Sequence, residues 1–461
     1  MYVKPIFNEE KVFLQEILGV ELPNNCWRDG SSIYINPNTK PAILRFKVDG
    51  EKVSIVKNRI VSFDKDNITM EIKNNKFEII HNNNLNEEYE LHKEYIHQLE
   101  EESIQNTTEY ILNHPNVPIR VGISGGKDSD VMYYILRNYV FPKAKILRNN
   151  YSIDVYNTTN DTPDTYRHIL RDLKIEIKDI HTPEKGWYKW LKEDKNYFLP
   201  SVTVRNCCST YKEGRVKKIL DKKQEYISFV GMRKYESTKR SNYDWDLNEA
   251  INKSNKNLNV PEHWHRFLPI VNWRDEDVWL YILHNKIKIN HMYYLGFNRT
   301  GCLLCPYSSD YNDLLIKKYY PFLWNRWTKM LEKNYEVWGV KRRLKWTKEE
   351  WINGGKWKQG MSKEYELTRL KPTPERVQKL AEIKGISEEI ARRYFQHRCS
   401  CGKLLNPDEI AMFLKRNGSF QGTDDNRQYL CKKCMCSKEG WTSEEYKNQV
   451  IRFREQGCNL F

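Results

Sequence analysis

Residues Ile119–Ser129 read IRVGISGGKDS, and no other stretch limits the fold of this chain so narrowly. A short apolar run, Val121-Gly122-Ile123, ends in Ser124-Gly125-Gly126-Lys127-Asp128-Ser129, and a helical pattern starts at once with Val131, Tyr134, Ile135 and Leu136 on one face. Strand, glycine loop and helix in succession make a phosphate cradle: adjacent glycines let backbone N–H groups converge, and the helix N-terminus adds partial positive charge. Lys127 supplies a cation for outer phosphates, Ser124 and Ser129 supply hydroxyls, and Asp128 with Asp130 offers carboxylates to Mg²⁺. The Walker pattern GxxxxGK[ST] is absent, so this is a nucleotide loop of another kind.

The string SGGKDS after a strand resembles the loop of the N-type ATP pyrophosphatases, which cleave ATP between the α and β phosphates and adenylate a substrate. The resemblance to the phosphoadenosine-phosphosulfate (PAPS) reductase branch of that superfamily runs over Ile119–Pro306. Its later landmarks are NDTPDTY (Asn160–Tyr166), Cys207-Cys208, GMRKYESTKR (Gly231–Arg240), PIVNWRDEDVWLYI (Pro269–Ile282) and GCLLCP (Gly301–Pro306). It implies an α/β fold, a doubly wound parallel sheet like that of the adenine nucleotide alpha-hydrolases. ATP and Mg²⁺ are the implied ligands, with Lys127, Asp128 and Ser129 at the reaction. Ser124, Gly125, Gly126, Asp161, Arg233, Ser237 and Arg240 are expected around the nucleotide, with Lys239 beside them in the basic loop.

At 461 residues the chain exceeds one compact core. Four regions are expected: a β-rich accessory domain at 1–85, the PAPS-reductase-like core at 86–310, a basic helical region at 311–398 and a zinc-ribbon-like module at 399–461. MYVKPIFNEE lacks the build-up of a signal peptide and no apolar run approaches a membrane span, which points to a cytoplasmic protein without membrane attachment. Net charge is +15, about +12 of it after Asp310, which suits a polyanionic partner such as DNA or tRNA, or else a solvated lysine-rich face.

In the first region, Ala42–Val48, Val53–Lys57, Ile60–Phe63, Ile68–Ile72 and Phe77–Ile80 read as short strands, with Asp49-Gly50 as a hairpin turn and Cys26 as a buried apolar residue. Tyr89–Leu112 has helical spacing. Within the core, a strand at Ile153–Asn157 should carry Asn160 and Asp161 to the ligand edge of the sheet, followed by a helix over Thr165–Leu173. Phe229–Val230 ends a further strand. Beyond Asp310, interleaved aromatics and cations (FLWNRWTKM, VKRRLKWTKEEW) suit either base stacking or an amphipathic helix with its aromatics turned inward, the second being preferred. Leu380–Phe395 looks like a helix–hairpin–helix joined at Gly385, with Ser387 where a second glycine is usual.

Eleven cysteines in CC, CxxC and CxC groupings point to metal rather than disulfide chemistry. Cys207-Cys208 with Cys302-x-x-Cys305 supplies four thiolates from two loops, the donor set of a [4Fe–4S] cube, with zinc as the competing occupant. The arrangement is similar to the cluster site of adenylylsulfate (APS) reductases. Cys399, Cys401, Cys431 and Cys434 resemble a zinc ribbon, leaving Cys436 out and Cys458 near the end. Reductases of this family use preactivated sulfate, have generally lost the loop lysine and act through a cysteine in an ECGxH tail. Here Lys127 is intact and EQGCN is a faint echo of that tail. The preferred expectation is therefore an ATP-dependent sulfurtransferase acting on nucleic acid, with a sulfur donor such as a cysteine desulfurase. APS or PAPS reduction to sulfite is the alternative.

Overall fold

The structure is a computed structural model. It describes residues 3–37, 41–73, 75–201, 206–212, 215, 224–237, 240–248, 263–339, 346–358, 373–394, 399, 401, 403, 405–417 and 429–455. Lys239 and Cys458 lie outside the described residues. The chain divides into two compact units, one of residues 1–188, 207–304 and 308–324, the other of residues 189–206, 305–307 and 325–461.

The first unit opens with antiparallel strands in sequential order: β1 (Lys4–Pro5), β2 (Trp27–Asp29), β3 (Ser32–Tyr34), β4 (Leu44–Asp49) and β5 (Lys52–Asn58). Helix α1 (Asn8–Leu18) lies between β1 and β2 in sequence, an element the β-rich reading of this region lacks. A second antiparallel sheet follows, β6 (Ile60–Phe63), β7 (Asn67–Lys73) and β8 (Lys76–His81). The β4–β5 turn falls at Asp49-Gly50, where Gly50 takes φ +64°. Cys26 is buried, and its thiol, pushed up to about 12 by burial, donates to the Pro23 carbonyl.

Helix α2 (Leu85–Asn113) starts at a full capping box: the Asn84 side chain accepts from the Asn86 and Glu87 amides, and Glu87 accepts from the Asn84 amide. It leads into the parallel sheet, ordered β11-β10-β9-β12-β13, made of β9 (Ile119–Ile123), β10 (Tyr151–Tyr156), β11 (Ile180–His181), β12 (Tyr226–Phe229) and β13 (Trp264–Phe267). The first strand, β9, is central, with its successors laid outward on either side. That order reverses at β9, and the carboxyl edge of such a switch point is where doubly wound sheets bind ligands. Helix α3 (Lys127–Ile135) leaves β9 there, capped by Gly126. The remaining helices around the site are α4 (Pro163–Arg167), α5 (Asn206–Tyr211) and α6 (Asp275–His284). The helix anticipated at Thr165–Leu173 begins earlier because Thr162 caps it and Pro163 opens it, and it continues as one wide turn, His168–Asp172.

In the second unit Trp327, Trp346, Trp351 and Trp357 are buried, while Tyr335 and Trp338 are half-buried. The Trp351 indole donates to Asn334, whose own amide donates to the Tyr197 carbonyl. Helices Pro374–Lys384 and Glu388–Tyr394 form the anticipated hairpin, with Gly385 at φ +65° closing the first. Among the described residues, no helix is long and apolar enough to cross a membrane.

Candidate nucleotide site and cysteine centres

The Ser124–Ser129 loop is held by its own hydroxyls. Ser124 Oγ accepts from the Gly126 amide at 3.3 Å, and Ser129 Oγ donates to the Gly126 carbonyl at 2.8 Å while accepting from the Ser124 amide at 3.2 Å. Gly125 has φ +69°, and a Cβ there would press Ile169 and Thr165 at 3.2 Å. Gly126 is closer still, since its Cβ would fall 2.7 Å from Thr300 Oγ1. Gly125 thus excludes a side chain by conformation as well as by contact, and Gly126 by contact alone.

Beneath the loop lies a buried charge quartet. Lys127 Nζ is 2.8 Å from Asp128 Oδ1 and 2.7 Å from Asp275 Oδ1, and Arg233 reaches the same two oxygens at 2.7 Å each. Arg233 is fully buried and also donates to the Trp273 carbonyl at 3.2 Å. Two cations against two anions balance one another, which is how such charges survive burial. Burial alone would raise the Asp128 carboxyl, but Arg233 and Lys127 hold it below the usual carboxylate range. Asp130 faces the other way: its Oδ2 meets His168 Nε2 at 2.9 Å, and burial pushes its carboxyl upward.

Asp161 lies at the carboxyl edge of β10, half-buried, with Oδ2 accepting from the Thr158 amide and hydroxyl and from the Tyr166 hydroxyl. Ser237 is exposed, its carbonyl accepting the Arg240 amide, while the Arg240 guanidinium pairs with Glu236. Of the residues anticipated around the nucleotide, Ser124, Gly125, Gly126, Lys127, Asp128, Ser129 and Arg233 are therefore drawn into one assembly. Asp161 is tied within its own loop, and Arg240 within its own turn. Gly231 explains why the GMR segment sits so near: a Cβ there would fall 2.9 Å from Asp128 C and O and from Ser129 N.

Four further residues complete the assembly. Asp275 was visible within WRDEDVW but carries no motif of its own. Tyr293 accepts the Lys127 amide at 3.0 Å, Asn290 donates to the Gly125 carbonyl at 3.2 Å, and His168 backs Asp130. Nothing in local spacing marks the last three, because their partners are about 40 to 166 residues away in sequence.

Cys302 and Leu303 adjoin the loop that follows β10. Cys302 Sγ donates to Thr158 Oγ1 at 3.6 Å, and the Leu303 amide donates to the Asn160 carbonyl at 2.6 Å. Cys207 and Cys208 occupy the first turn of α5, and Lys212, whose amide donates to the Cys208 carbonyl, brings its Nζ within 3.7 Å of where a Gly301 Cβ would stand. The Cys207-Cys208 helix and the Gly301-Cys302 turn thus approach one another. Cys207, Cys208, Cys302 and Cys305 are each half-buried. Thiolates are the donors an iron–sulfur cube requires.

At the C-terminal end, the sulfurs of Cys399, Cys401, Cys431 and Cys434 lie within 4.8 Å of one another, and Cys401 and Cys431 are 3.8 Å apart. Tetrahedral zinc with Zn–S near ~2.3 Å separates its sulfurs by ~3.8 Å, so the donors fit. Although burial opposes it, the amides of Cys401 and Cys431 pull the Cys399 thiol down to about 6, while hydrogen bonding to the other three thiols pushes Cys434 up to about 12. Cys436 stays outside the group.

A five-stranded parallel sheet with a glycine loop at its switch point defines a doubly wound α/β core. Residues 118–308 match the family model described as phosphoadenosine phosphosulfate reductase domain. The chain is 28% identical over 243 residues to an uncharacterized protein of Methanocaldococcus jannaschii, covering 52% of this chain and 54% of that one. A second uncharacterized protein of that organism is 30% identical over 260 residues, covering 55% and 48%. The chain spans about half the length of these curated relatives. An adenosine 5'-phosphosulfate reductase of Oceanobacillus iheyensis is 28% identical over 170 residues, covering 36% of this chain and 65% of the reductase. Among solved structures, the U34-tRNA thiolase NcsA of Methanococcus maripaludis with its [4Fe-4S] cluster aligns with TM-score 0.32 and 18% identity, over 54% of this chain and 80% of that one.

Proposed function

We propose that this protein binds ATP with Mg²⁺ at the Ser124–Ser129 loop, cleaves it to AMP and pyrophosphate by adenylating an acceptor oxygen, and supports sulfur transfer to that acceptor. The observation that carries the reading is Lys127, retained at the N-terminus of α3 and held there by Asp128 and Asp275. A lysine aimed at outer phosphates is useful where those phosphates are present and must depart. The loop and the N-terminus of α3 would take the phosphate oxygens, Lys127 would neutralise charge as pyrophosphate leaves, and Asp128 would share a metal. Arg233, behind the loop, positions Asp128 rather than touching phosphate.

The four thiolates of Cys207, Cys208, Cys302 and Cys305 would hold a [4Fe–4S] cluster, which when bound supplies an iron-based attachment point for sulfur beside the adenylation site. Cys399, Cys401, Cys431 and Cys434 would hold a structural Zn²⁺. The basic charge after Asp310 and the Gly385 hairpin support a nucleic-acid acceptor, tRNA or DNA, and a cysteine desulfurase in the cytoplasm is the class of partner that supplies the sulfur.

Similarity to the Oceanobacillus reductase favours a second reading, reduction of adenylylsulfate to sulfite. One experiment separates them. Anaerobically purified protein is given ATP, with release of AMP and pyrophosphate measured, and in parallel APS with a thiol reductant, with sulfite measured. Release from ATP that Lys127→Ala abolishes supports adenylation, whereas sulfite from APS without pyrophosphate release from ATP would install the reductase.

A further inference from the structure

We propose that the N-terminal module is a frame for the nucleotide site, and that Arg28, held by Glu10, positions the 290–302 strap on which both the nucleotide loop and Cys302 depend. The proposal rests on reading Ser124–Ser129 as the nucleotide loop.

Between the end of α6 and the CxxC turn the chain has a single short helical turn, His291–Tyr293, so the strap gains little support from a ladder of its own. Yet it carries much of the site. Asn290 binds the Gly125 carbonyl, Tyr293 binds the Lys127 amide, Thr300 abuts Gly126, and Cys302 binds Thr158.

The strap's support comes from residues 4–28. Arg28 Nη2 donates to the Gly296 carbonyl at 2.6 Å and to Asn298 Oδ1 at 2.5 Å. Its Nε donates to Glu10 at 2.6 Å, its Nη1 donates to the Gly30 carbonyl, and its guanidinium lies 4.5 Å above the Tyr311 ring. Glu10, wholly buried, also pairs with Lys4, and its amide donates to the Tyr294 carbonyl at 3.1 Å. Gly296 takes φ +107°, and a Cβ there would come within 3.1 Å of the Glu10 side chain. Phe7 packs on Tyr294 at 4.7 Å and on Trp279 at 5.8 Å.

A packing interface could be sealed with apolar side chains at lower desolvation cost. What a planar guanidinium adds is direction: its fork fixes where a carbonyl and an amide oxygen must stand, and in a dry interior that preference is strong. The geometry makes Arg28 a positioning residue acting through Gly296 and Asn298.

The test is amide hydrogen exchange on the full chain, with turnover alongside. In Arg28→Met, which keeps length and removes the fork, exchange should quicken at least tenfold in peptides covering 290–302 and 124–128. Peptides of β4, β5 and β10 should remain as in the wild type. Turnover of ATP per folded molecule should fall roughly tenfold to a hundredfold, the scale of a small misplacement of reacting groups. Asn298→Ala removes one acceptor only, should change the same peptides to a smaller extent, and decides the question if Arg28→Met does not fold. Exchange changes confined to residues 4–30, or a lower melting temperature with unchanged turnover per folded molecule, would overturn the proposal. Wild-type protein that releases no pyrophosphate, but whose variants show the expected exchange pattern, would remove the ATP reading and leave the frame standing.

Discussion

Lys127 Nζ and Asp275 Oδ1 are 2.7 Å apart, both side chains almost wholly buried, although 148 positions separate them in the chain. Arg233 bonds the same Asp275 oxygen and reaches across to Asp128. The arrangement holds the Lys127 side chain beneath the loop. Lys127 can turn toward an arriving polyphosphate while Arg233 keeps its bonds to both carboxylates, and the net negative charge left behind calls for the metal that accompanies the nucleotide.

Removing one carboxylate should therefore expose an imbalance. Asp275→Asn preserves shape and leaves two cations against one anion. Breaking a buried pair in this way typically costs ~3–5 kcal/mol. Urea unfolding should show a loss of about that size, and a change below ~0.5 kcal/mol would mean that the quartet is not the buried ion network described here.

Gly231 offers a sharper probe of the loop. Its Cβ would meet backbone atoms of Asp128 and Ser129 at 2.9 Å, and backbone cannot swing aside as a side chain can. Gly231→Ala should push the first turn of α3 outward and weaken nucleotide binding at least tenfold, at a stability cost of ~1–3 kcal/mol. Calorimetric titration with an ATP analogue checks it, and wild-type affinity would show that the contact is relieved elsewhere.

Much of this site was legible because its chemistry is written locally. Ser124–Ser129 places glycines, lysine and hydroxyls within one turn of chain, and a strand-to-helix switch around them allows few folds. The CxxC and CxC groups are local in the same sense. Asp275, Tyr293, Asn290 and His168 were not legible as site residues, because a lone polar residue in an apolar context reads the same whether it backs a loop or satisfies a core. Arg233 was legible as a cation but not as a buried one, since the carboxylate that captures it, Asp275, lies 42 positions on. The frame built by Glu10 and Arg28 was hidden for a similar reason: α1 is short, and its buried face includes a glutamate where periodicity leads one to expect an apolar residue.

His168 gives the site a pH dependence. Burial works against its charge, but hydrogen bonds to Asp130 and Asp172 outweigh it and hold the imidazole above its ordinary 6.5. Asp130's carboxyl is itself pushed up by burial. A histidine raised in the folded state contributes stability that is complete below pH 6.5 and fades as pH rises through the folded value. Unfolding free energy should thus decline on the alkaline side of 6.5 in the wild type, and His168→Gln should flatten that slope. An identical slope in the variant would assign the pH dependence to other groups.

The two cysteine centres should separate by metal. The C-terminal sulfurs are already spaced for a tetrahedral ion, with Cys399 drawn toward thiolate at neutral pH, so zinc should bind there with release of the remaining thiol protons. Among the described residues the apolar clusters around it are small, Cys399 with Leu405 and Cys431, and Met412 with Phe413, Met435, Tyr446 and Val450. A region with so little core should depend on the metal for its fold. Metal analysis of anaerobic protein should therefore find about four irons and one zinc per chain. Cys401→Ser or Cys434→Ser should lose zinc, keep iron and expose 399–455 to proteolysis. Cys207→Ser or Cys305→Ser should lose iron and the brown colour, keep zinc and leave the C-terminal region protected. Acidification should strip zinc, because protons compete with the metal for the four thiolates. Two zincs and no iron in anaerobic wild-type protein would sink the cluster assignment while leaving the C-terminal site intact, because the two donor sets share no residue.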